Sequence, residues 1–484
     1  MRSLVLPIRH IVNAVLLLLK GIVNLLGESH DFAELERGVQ ILTQQVAGNL
    51  LGAILEAMDQ ELMAERDKSL RLVGTRSRTI QTLFGEIKIK RRLYRNTETN
   101  KAKFLLDETI GLPAYERISG NLSRMCQLIS LDVAFRQAAE IISLMAPRVS
   151  ATTVWQHFQQ AGAEAAKEAQ TKRQAVFEDG VVPDGTRRPP ELYIEADGVA
   201  IKLQRANTKQ AEVRVVVGYE GKENAGTKEK PRRFLKERHQ VAGLVSGKAI
   251  WEEASATFGE VWDMTDIPSV HIGGDGAEWV KEGQEYFPNA TYHLDPFHLK
   301  KRVTEALGYD TSARGALARA LRDNCKSKAE ETLRLAAKAR KGAARKRVRN
   351  LAAYILSNWE GIQANLEGPS LGTIEGHNWR IVARRMKRRG ARWGLKGGNY
   401  MPRLLALREE GCLKNFLKHA QPMNTKKIND LTRHIADRNR ATKKNGKEDG
   451  EWLKASVPAL SGPFAGEAWI KHVLRPLVEA GCIA

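Results

Sequence analysis

The spacing of apolar residues changes twice in the first hundred residues of the chain. From Leu35 to Val46 they recur every three or four positions, a period that predicts a long helix over residues 31–70. Residues 5–26 are apolar but interrupted by charged and amide side chains, which favours an amphipathic helix for packing or dimerisation over a membrane span. Beyond the long helix, apolar and basic residues alternate on either side of Gly85, and this alternation predicts a β-hairpin.

The second strand of the predicted hairpin is strongly basic. Its apolar residues Ile87 and Ile89 alternate with lysines, so we expect the charges to share one face. The basic residues are Lys88, Lys90, Arg91 and Arg92. Such a face either contacts DNA phosphates or is simply hydrated, and the pattern leaves both interpretations open.

Residues 132–161 carry two helical patterns separated by Pro147, which is typical of a helix–turn–helix. Ser150 is placed to cap the second helix. In DNA-binding proteins the second helix of this motif enters the major groove, although two helices around a proline turn also occur in many α-rich domains. The candidate DNA contacts are Thr152, Thr153, Gln156 and Gln159.

Residues 165–190 are polar, end in DGTRRPP and read as a linker. After them the pattern becomes that of an α/β domain. Strands are predicted at 192–198, 213–218, 241–247, 269–276 and 290–295. A helix beginning near Ala277 separates the last two strands, which implies a parallel pair. The fold class that we expect is therefore α+β and multidomain.

The charge of the chain points to a polyanionic partner. Among 484 residues, 77 lysines and arginines outweigh 56 acidic residues, giving a net charge of +21. The length predicts about two to four domains, and a hydrophobic content of 42% excludes a wholly disordered chain. Four scattered cysteines exclude a disulfide scaffold. The helical segment from 299 to 350 is rich in lysine and arginine, and we expect Arg345, Lys346 and Arg347 to contact DNA.

Three acids stand out by their context. Asp197 lies on the first predicted strand, Asp275 ends another within Gly-Gly-Asp-Gly, and Glu375 begins a basic helix. A carboxylate inside an apolar strand is costly unless a cation or hydrogen bonds satisfy it. Acids on two strands of one sheet indicate a shared site for Mg²⁺ or Mn²⁺. The alternative for any single Asp-Gly pair is an ordinary turn.

The motifs around these acids resemble those of a known family. They are GGDGAEW at 273–279, YHLDPFHL at 292–299 and GTIEGH at 372–377. In this order they look like the motifs of bacterial insertion-sequence transposases with a DDE catalytic triad, within the Mutator-like group. The basic hairpin and the ARRMKRRG block at 383–390 extend the resemblance to most of residues 30–410.

The resemblance implies a role for each matching residue. Asp197, Asp275 and Glu375 become the catalytic and metal-binding triad of a ribonuclease-H-like domain, with Glu375 on the helix that follows a helical insertion. Asp295 and His298 match a (Cys/Asp)-x-x-His motif that helps position DNA beside the active site. The alternative is that this aspartate and histidine satisfy each other. Further residues expected to contact DNA are His377, Arg384, Arg385, Arg388 and Arg389.

The same resemblance implies a domain plan. A helical and hairpin region for DNA binding or dimerisation would span 1–164 and include the helix–turn–helix; the linker would span 165–190. The remaining parts are the first part of the ribonuclease-H-like core at 191–298, the helical insertion at 299–368, the second part of the core at 369–420, and a polar tail with a terminal helix at 421–484.

Together these features predict a Mg²⁺- or Mn²⁺-dependent DNA transposase. It would bind the terminal inverted repeats of its element, cleave there and join the freed end to target DNA. It would act as a homodimer or higher assembly on double-stranded DNA in the bacterial cytoplasm, at the nucleoid and without membrane attachment. The alternatives are a nuclease or resolvase of the same fold that does not join strands, and a domesticated transposase that only binds DNA.

Overall fold

The computed structural model describes residues 8–146, 148–224, 233–369, 371–387, 390–417 and Gly466. The predicted terminal helix, all of the polar tail except Gly466, Pro147, Arg388 and Arg389 lie outside the described residues. The chain divides into two compact units. Of the described ranges, the first contains the residues up to Leu128 and Phe135–Val154, and the second contains Ile129–Ala134 and residues 155–417.

Two helices open the first unit: α1 (Ile8–Glu28) and α2 (Phe32–Ala64). The Asp31 carboxylate caps α2 by accepting the Glu34 backbone N–H at 2.8 Å. A helix in the predicted region is confirmed, but it ends at Ala64, because an aspartate turn in which Asp67 accepts the Ser69 N–H at 2.7 Å redirects the chain into a strand. None of the described helices is long and apolar enough to cross a membrane.

The predicted hairpin is confirmed. Strands β1 (Leu70–Thr82) and β2 (Gly85–Asn96) pair antiparallel, and the short β3 (Ala102–Lys103) adds to β2. Ile87 and Ile89 are buried against α2, whereas Lys88 and Lys90 are exposed on the opposite face.

The prediction that all four basic residues of β2 share the exposed face is wrong for Arg91. The alternation of a strand carries Arg91 to the same side as Ile87 and Ile89. There it is buried, with its Nε 3.2 Å from the Asp107 carboxylate.

Four further helices follow. They are α3 (Leu105–Ile110), α4 (Gly120–Ser130), α5 (Phe135–Met145) and α6 (Ala151–Phe177). The predicted cap is confirmed, because the Ser150 Oγ accepts the Thr153 N–H at 3.0 Å. Helix α6 continues to Phe177, so the residues after 164 that we predicted as linker are helical up to that point. The boundary between the units follows Val154; α5 therefore belongs to the first unit and most of α6 to the second.

A five-stranded sheet forms the centre of the second unit. Its strands are β4 (Glu191–Lys202), β5 (Gln210–Tyr219), β8 (His239–Gly243), β9 (Ser269–Gly274) and β10 (Ala290–Leu294); β6 (Gly221–Asn224) and β7 (Arg233–Lys236) form a separate pair. The spatial order is β10-β9-β4-β5-β8. Strand β5 pairs antiparallel with both β4 and β8. Strand β9 pairs parallel with both β4 and β10, which confirms the predicted parallel pair of β9 and β10.

The two faces of β4 differ in character. Leu192, Ile194 and Ala196 point into a fully buried core that includes Trp251 and Phe258 of α7 (Gly247–Gly259). Strand alternation therefore directs Glu195 and Asp197 to the opposite face. A short helix, α8 (Glu278–Lys281), follows β9.

The segment that we predicted as a helical insertion is helical. It consists of α9 (Pro296–Leu307), α10 (Thr311–Arg322), α11 (Lys326–Lys338), α12 (Gly342–Ser357) and α13 (Trp359–Glu367). Leu317, Leu333 and Leu351 of the insertion belong to the same buried core as the sheet. The insertion is therefore an integral part of this unit.

The chain returns to the sheet after the insertion. The helical segments there are α14 (Ile374–Asn378), a π-helical turn (Trp379–Ala383), α15 (Arg384–Met386), α16 (Leu395–Glu409) and α17 (Leu413–Phe416). Helix α14 packs against β4 and β5, and α16 packs against β8.

Candidate active site

Asp197 and Asp275 lie side by side at one point of the sheet. Ala196 of β4 is the register partner of Gly274, the last residue of β9, and the residues that follow them are Asp197 on β4 and Asp275 directly after β9. Strand alternation directs the Asp197 side chain to the same face as Glu195, and the Asp275 carboxylate is close enough to act on it electrostatically. The Asp275 carboxylate raises the cost of ionising Asp197.

Each carboxylate oxygen of Asp197 accepts a hydrogen bond from a neutral donor. The Gly198 N–H donates at 2.7 Å and the Asn378 side-chain amide at 2.6 Å. Burial raises the pKa of Asp197 to about 6, and the Asp275 carboxylate adds to this rise; the Gly198 N–H, His298 and Asn378 oppose it. This pKa is that of a buried acid beside another acid.

Glu375 lies on α14 and is exposed to solvent. One helical turn further on, Asn378 makes the contact to Asp197 described above. Glu375 is also close enough to Asp295 to raise the pKa of that carboxyl, which burial already raises. The third acid of the sequence prediction therefore belongs to the same electrostatic cluster as Asp295, and its helix is joined directly to Asp197.

Glu195 of β4 forms hydrogen bonds with the residues at the beginning of α14. This carboxylate is buried and accepts the backbone N–H groups of Gly372, Thr373 and Ile374 at 2.9, 2.7 and 3.2 Å. The Thr373 hydroxyl donates to it at 2.7 Å, and the Tyr219 hydroxyl of the neighbouring strand donates at 2.6 Å. These donors include the free N–H groups that any helix start leaves unpaired.

The glycines beside Asp275 allow two close approaches. A Cβ on Gly273 would lie 2.6 Å from the Leu371 side chain, so the missing side chain lets the segment before α14 cross β9. Gly276 has a φ of +90°, and a Cβ at this position would lie 2.9 Å from Tyr354 and from Asn358 of the insertion, which is too close. The Tyr354 hydroxyl donates to the Asp275 backbone carbonyl at 2.7 Å. The insertion thus contacts the Asp275 loop directly.

Asp295 and His298 lie at the start of the insertion. The Asp295 carboxylate caps α9 by accepting the Phe297 N–H at 2.8 Å, and its own N–H donates to the Gly274 carbonyl at 2.8 Å. His298 favours the ionised form of both Asp295 and Asp197. The pair is therefore beside the two sheet acids, and Asp295 also has a clear capping role.

The basic residues predicted near the site have different environments. His377 is buried, with its Nδ1 3.2 Å from the Gln240 side-chain oxygen, and burial lowers its pKa to about 3, so it is neutral at physiological pH. Arg385 donates to the carbonyls of Ser130 and Val133, and burial lowers its pKa to about 10. These contacts occupy both side chains within the protein. Arg384 is exposed, 3.5 Å from Asp132.

The candidate DNA contacts outside the site are accessible where the structure describes them. Thr152 and Gln156 are exposed on α6, and Thr153 is half-buried and bonded to Ser150. Arg345, Lys346 and Arg347 are exposed near the start of α12. Within the described part of the chain these three basic residues form no ion pair.

The donor chemistry of the cluster suits a hard divalent cation. Asp197, Asp275 and Glu375 offer only carboxylate oxygens, the ligands that Mg²⁺ and Mn²⁺ prefer. No described lysine or arginine forms an ion pair with them, and the Asn378 Oδ1 is buried without a partner. Among the described residues, however, no three acidic, histidine or cysteine side chains are already spaced to hold a metal ion.

The sequence analysis missed two residues of the site, Asn378 and Tyr354. Asn378 stands three residues after Glu375, the spacing that places two side chains on one helix face, and this could have marked it. Tyr354 lies 79 residues from Asp275 in a helix of ordinary composition, and nothing in the sequence pattern singles it out.

The amino-acid sequence also matches a known family. Residues 25–421 match the model of a family described as "Uncharacterised protein family (UPF0236)". The chain belongs to the UPF0236 family. A UPF0236 protein of Caldanaerobacter subterraneus subsp. tengcongensis, named after eleven separate loci, is 24% identical over 429 residues, covering 85% of this chain and 87% of the relative. The "UPF0236 protein in vanSb 3'region" of Streptococcus gallolyticus is 27% identical over 415 residues, covering 83% and 88%.

Proposed function

We propose that this UPF0236 protein is a metal-dependent DNA transposase that cleaves at the ends of its own mobile element and joins them to target DNA. The observation that carries the proposal is the adjacency of Asp197 and Asp275, together with the hydrogen bond that joins Asp197 to the helix of Glu375. Carboxylates brought together at such cost, without lysine or arginine partners, are typical of functional sites.

The sheet order supports a ribonuclease-H-like catalytic domain. Three antiparallel strands are followed by two parallel ones, in the order β10-β9-β4-β5-β8. Asp197 is on the first strand of this sheet, Asp275 follows the fourth, and Glu375 comes after a helical insertion. This is the arrangement that the resemblance to DDE transposases of the Mutator-like group implies.

In the proposed reaction, Asp197, Asp275 and Glu375 would hold Mg²⁺ or Mn²⁺. Such ions, when bound, stabilise the attacking and leaving oxygens of an in-line phosphoryl transfer. The residues of the chain orient the DNA: the exposed basic side chains of α12 neutralise phosphates, and His298 lies beside the acids, where it can contact a backbone oxygen. Hydrolysis at the element end frees a 3′-hydroxyl. This hydroxyl then attacks a phosphodiester of the target DNA, forming a new P–O bond, and the broken P–O bond releases a 3′-hydroxyl of the target strand.

The distribution of the relatives agrees with a mobile element. One relative carries eleven locus numbers of a single genome in its name, and another carries four. Repeated insertion of one element into a chromosome produces such a set of copies. Since both ends of an element must be cut together, we expect a homodimer or a larger assembly on DNA.

The test is a strand-transfer assay. Purified protein, Mg²⁺, a labelled DNA end taken from the flanks of the gene and a supercoiled target plasmid are incubated together. The proposal requires joined products that disappear in Glu375→Gln and persist in Glu278→Gln, a matched change at an exposed glutamate on α8.

Other outcomes would assign another function. Cleavage without joining would make the protein a nuclease or resolvase of the same fold. Binding to the terminal repeats without cleavage would make it a DNA-binding protein derived from a transposase.

A further inference from the structure

Glu195 makes an unusual set of contacts for a buried acid. It is 2% exposed, and none of its partners in the described chain is a lysine or an arginine. A buried carboxylate is stable only when hydrogen bonds replace the water that it has lost. All of those bonds except the one from Tyr219 come from three consecutive residues, Gly372, Thr373 and Ile374.

We infer that Glu195 is a positioning residue: by accepting the N–H groups of three consecutive residues it fixes the start of α14 on β4 and so sets the place of Glu375 relative to Asp197. The inference rests on the proposed function for its catalytic readout. Glu375 directly follows the last of the three anchored N–H groups, so its backbone has little freedom to move independently of Glu195.

A second tie holds the other end of the same helix. Asn378, the last residue of α14, donates to Asp197 at 2.6 Å. Glu195 and Asp197 are two residues apart on one strand face, so both ends of α14 are attached to the same short stretch of β4. A displacement of about 1 Å of a reacting group can cost about 100-fold in rate.

This role requires both oxygens of Glu195 to accept hydrogen bonds. Glutamine has nearly the same shape but carries two N–H donors in place of one of the acceptor oxygens. In Glu195→Gln those donors would face the Thr373 N–H in either orientation of the amide, because this N–H lies 3.0 and 2.7 Å from the two carboxylate oxygens. We therefore expect α14 to be held loosely while the sheet core, on the opposite face of β4, stays intact.

The first experiment compares Glu195→Gln with the matched control Glu191→Gln, an exposed glutamate on the same strand. In Glu195→Gln we expect DNA cleavage to fall about 100-fold and the Mg²⁺ concentration for half-maximal cleavage to rise, while terminal-repeat binding is unchanged. Thr373→Val removes only the hydroxyl donor and should cause a smaller change in the same direction. Unchanged cleavage with an unchanged Mg²⁺ dependence in Glu195→Gln would overturn the inference.

The second experiment does not depend on activity. Hydrogen exchange of the backbone amides at 372–374 should be faster in Glu195→Gln than in the wild type, whereas the amides of β5 should exchange as before. Equal exchange at 372–374, or faster exchange over the whole sheet, would overturn the positioning role. Wild-type protein that binds DNA and never cleaves it would overturn the proposed function, and the exchange result would then decide on Glu195 alone.

Discussion

Two groups of buried acids, one in each unit, are satisfied in different ways. In the first unit, acids and arginines neutralise one another: Asp107 lies 2.8 Å from Arg78 and 3.2 Å from Arg91, and the buried Asp59 lies 2.6 Å from Arg92. In the second unit, Glu195 and Asp197 accept hydrogen bonds from neutral donors only.

The difference separates structural charges from those available to ligands. Burial raises the pKa of both Asp107 and Asp197, but two arginines counter it at Asp107, whereas a second acid, Asp275, reinforces it at Asp197. The exposed basic residues of α12 likewise have no acidic partner among the described residues. Asp197 and Asp275 thus have no basic ion-pair partner among the described residues, and the basic residues of α12 have no acidic one, which is what the proposed function requires of both groups.

The largest expected effect is the loss of DNA cleavage when one acid of the Asp197–Asp275 pair is replaced. Asp275→Asn should reduce DNA cleavage by at least about 1,000-fold, roughly 4 kcal/mol in the barrier, because it removes one of the carboxylates that the reaction needs. Terminal-repeat binding, measured by electrophoretic mobility shift, should stay within a factor of two. Loss of binding together with cleavage would mean instead that Asp275 is needed for the fold.

The next largest effect is expected in the first unit. Asp107→Ala leaves Arg78 and Arg91 buried without their counter-charge, so the free energy of unfolding should fall by about 3–5 kcal/mol. Denaturant titration measures this, with Glu108→Ala as a control, because the neighbouring Glu108 forms only a partly exposed pair with Lys103. A loss below about 1 kcal/mol would show that the pairing contributes little.

Asp197→Asn should raise the free energy of unfolding at neutral pH, whereas Asp107→Ala lowers it. The folded-state pKa of about 6 exceeds the ordinary value of 3.8, so the folded protein binds the proton more tightly and loses this stabilisation as the pH rises from 4 through 6. The variant should therefore be more stable than the wild type at pH 7, by about 1–2 kcal/mol after the loss of one accepted hydrogen bond. The gain should vanish near pH 4.

Mg²⁺ provides the matching control for this variant. A cation bound at the acids stabilises the folded state by mass action, so Mg²⁺ should raise the melting temperature of the wild type and leave that of Asp197→Asn unchanged. An equal rise in both proteins would place the ion elsewhere.

The smallest effect is expected on the surface of the insertion. Replacing Arg345, Lys346 and Arg347 by alanine should weaken DNA binding about tenfold at low salt and reduce the slope of log affinity against log salt by about 2–3. Lys248→Ala, an exposed residue on α7, should leave the slope unchanged. A slope that is unchanged in the triple variant would assign these residues to hydration alone.

Local patterns were enough to predict much of the fold. The alternation in β2, the cap at Ser150, the parallel strands β9 and β10 and the helical insertion all depend on residues close together in sequence. The errors arose where a distant partner or a local turn overrides the pattern. Arg91 is basic yet buried, because it forms an ion pair with the Asp107 carboxylate. Helix α2 ends earlier than predicted because of the turn at Asp67.

The candidate site divides in the same way. Asp197 and Asp275 could be predicted because each is an acid at an apolar strand, and both strands are readable from the sequence. The attachment of α14 could not, because the contacts of Glu195 join residues 177–179 positions apart. No period or turn signal reports a pairing over that distance.

That separation has a consequence for synthesis of the protein on the ribosome. A nascent chain that ends before Gly372 already contains Asp197, Asp275 and the basic insertion, but it has neither Glu375 nor the groups that Glu195 holds. Long-range contacts form last as a domain folds. Truncated products of this gene would therefore retain the basic surface of α12 and lack Glu375, so in the proposed transposase they could bind DNA without being able to cut it.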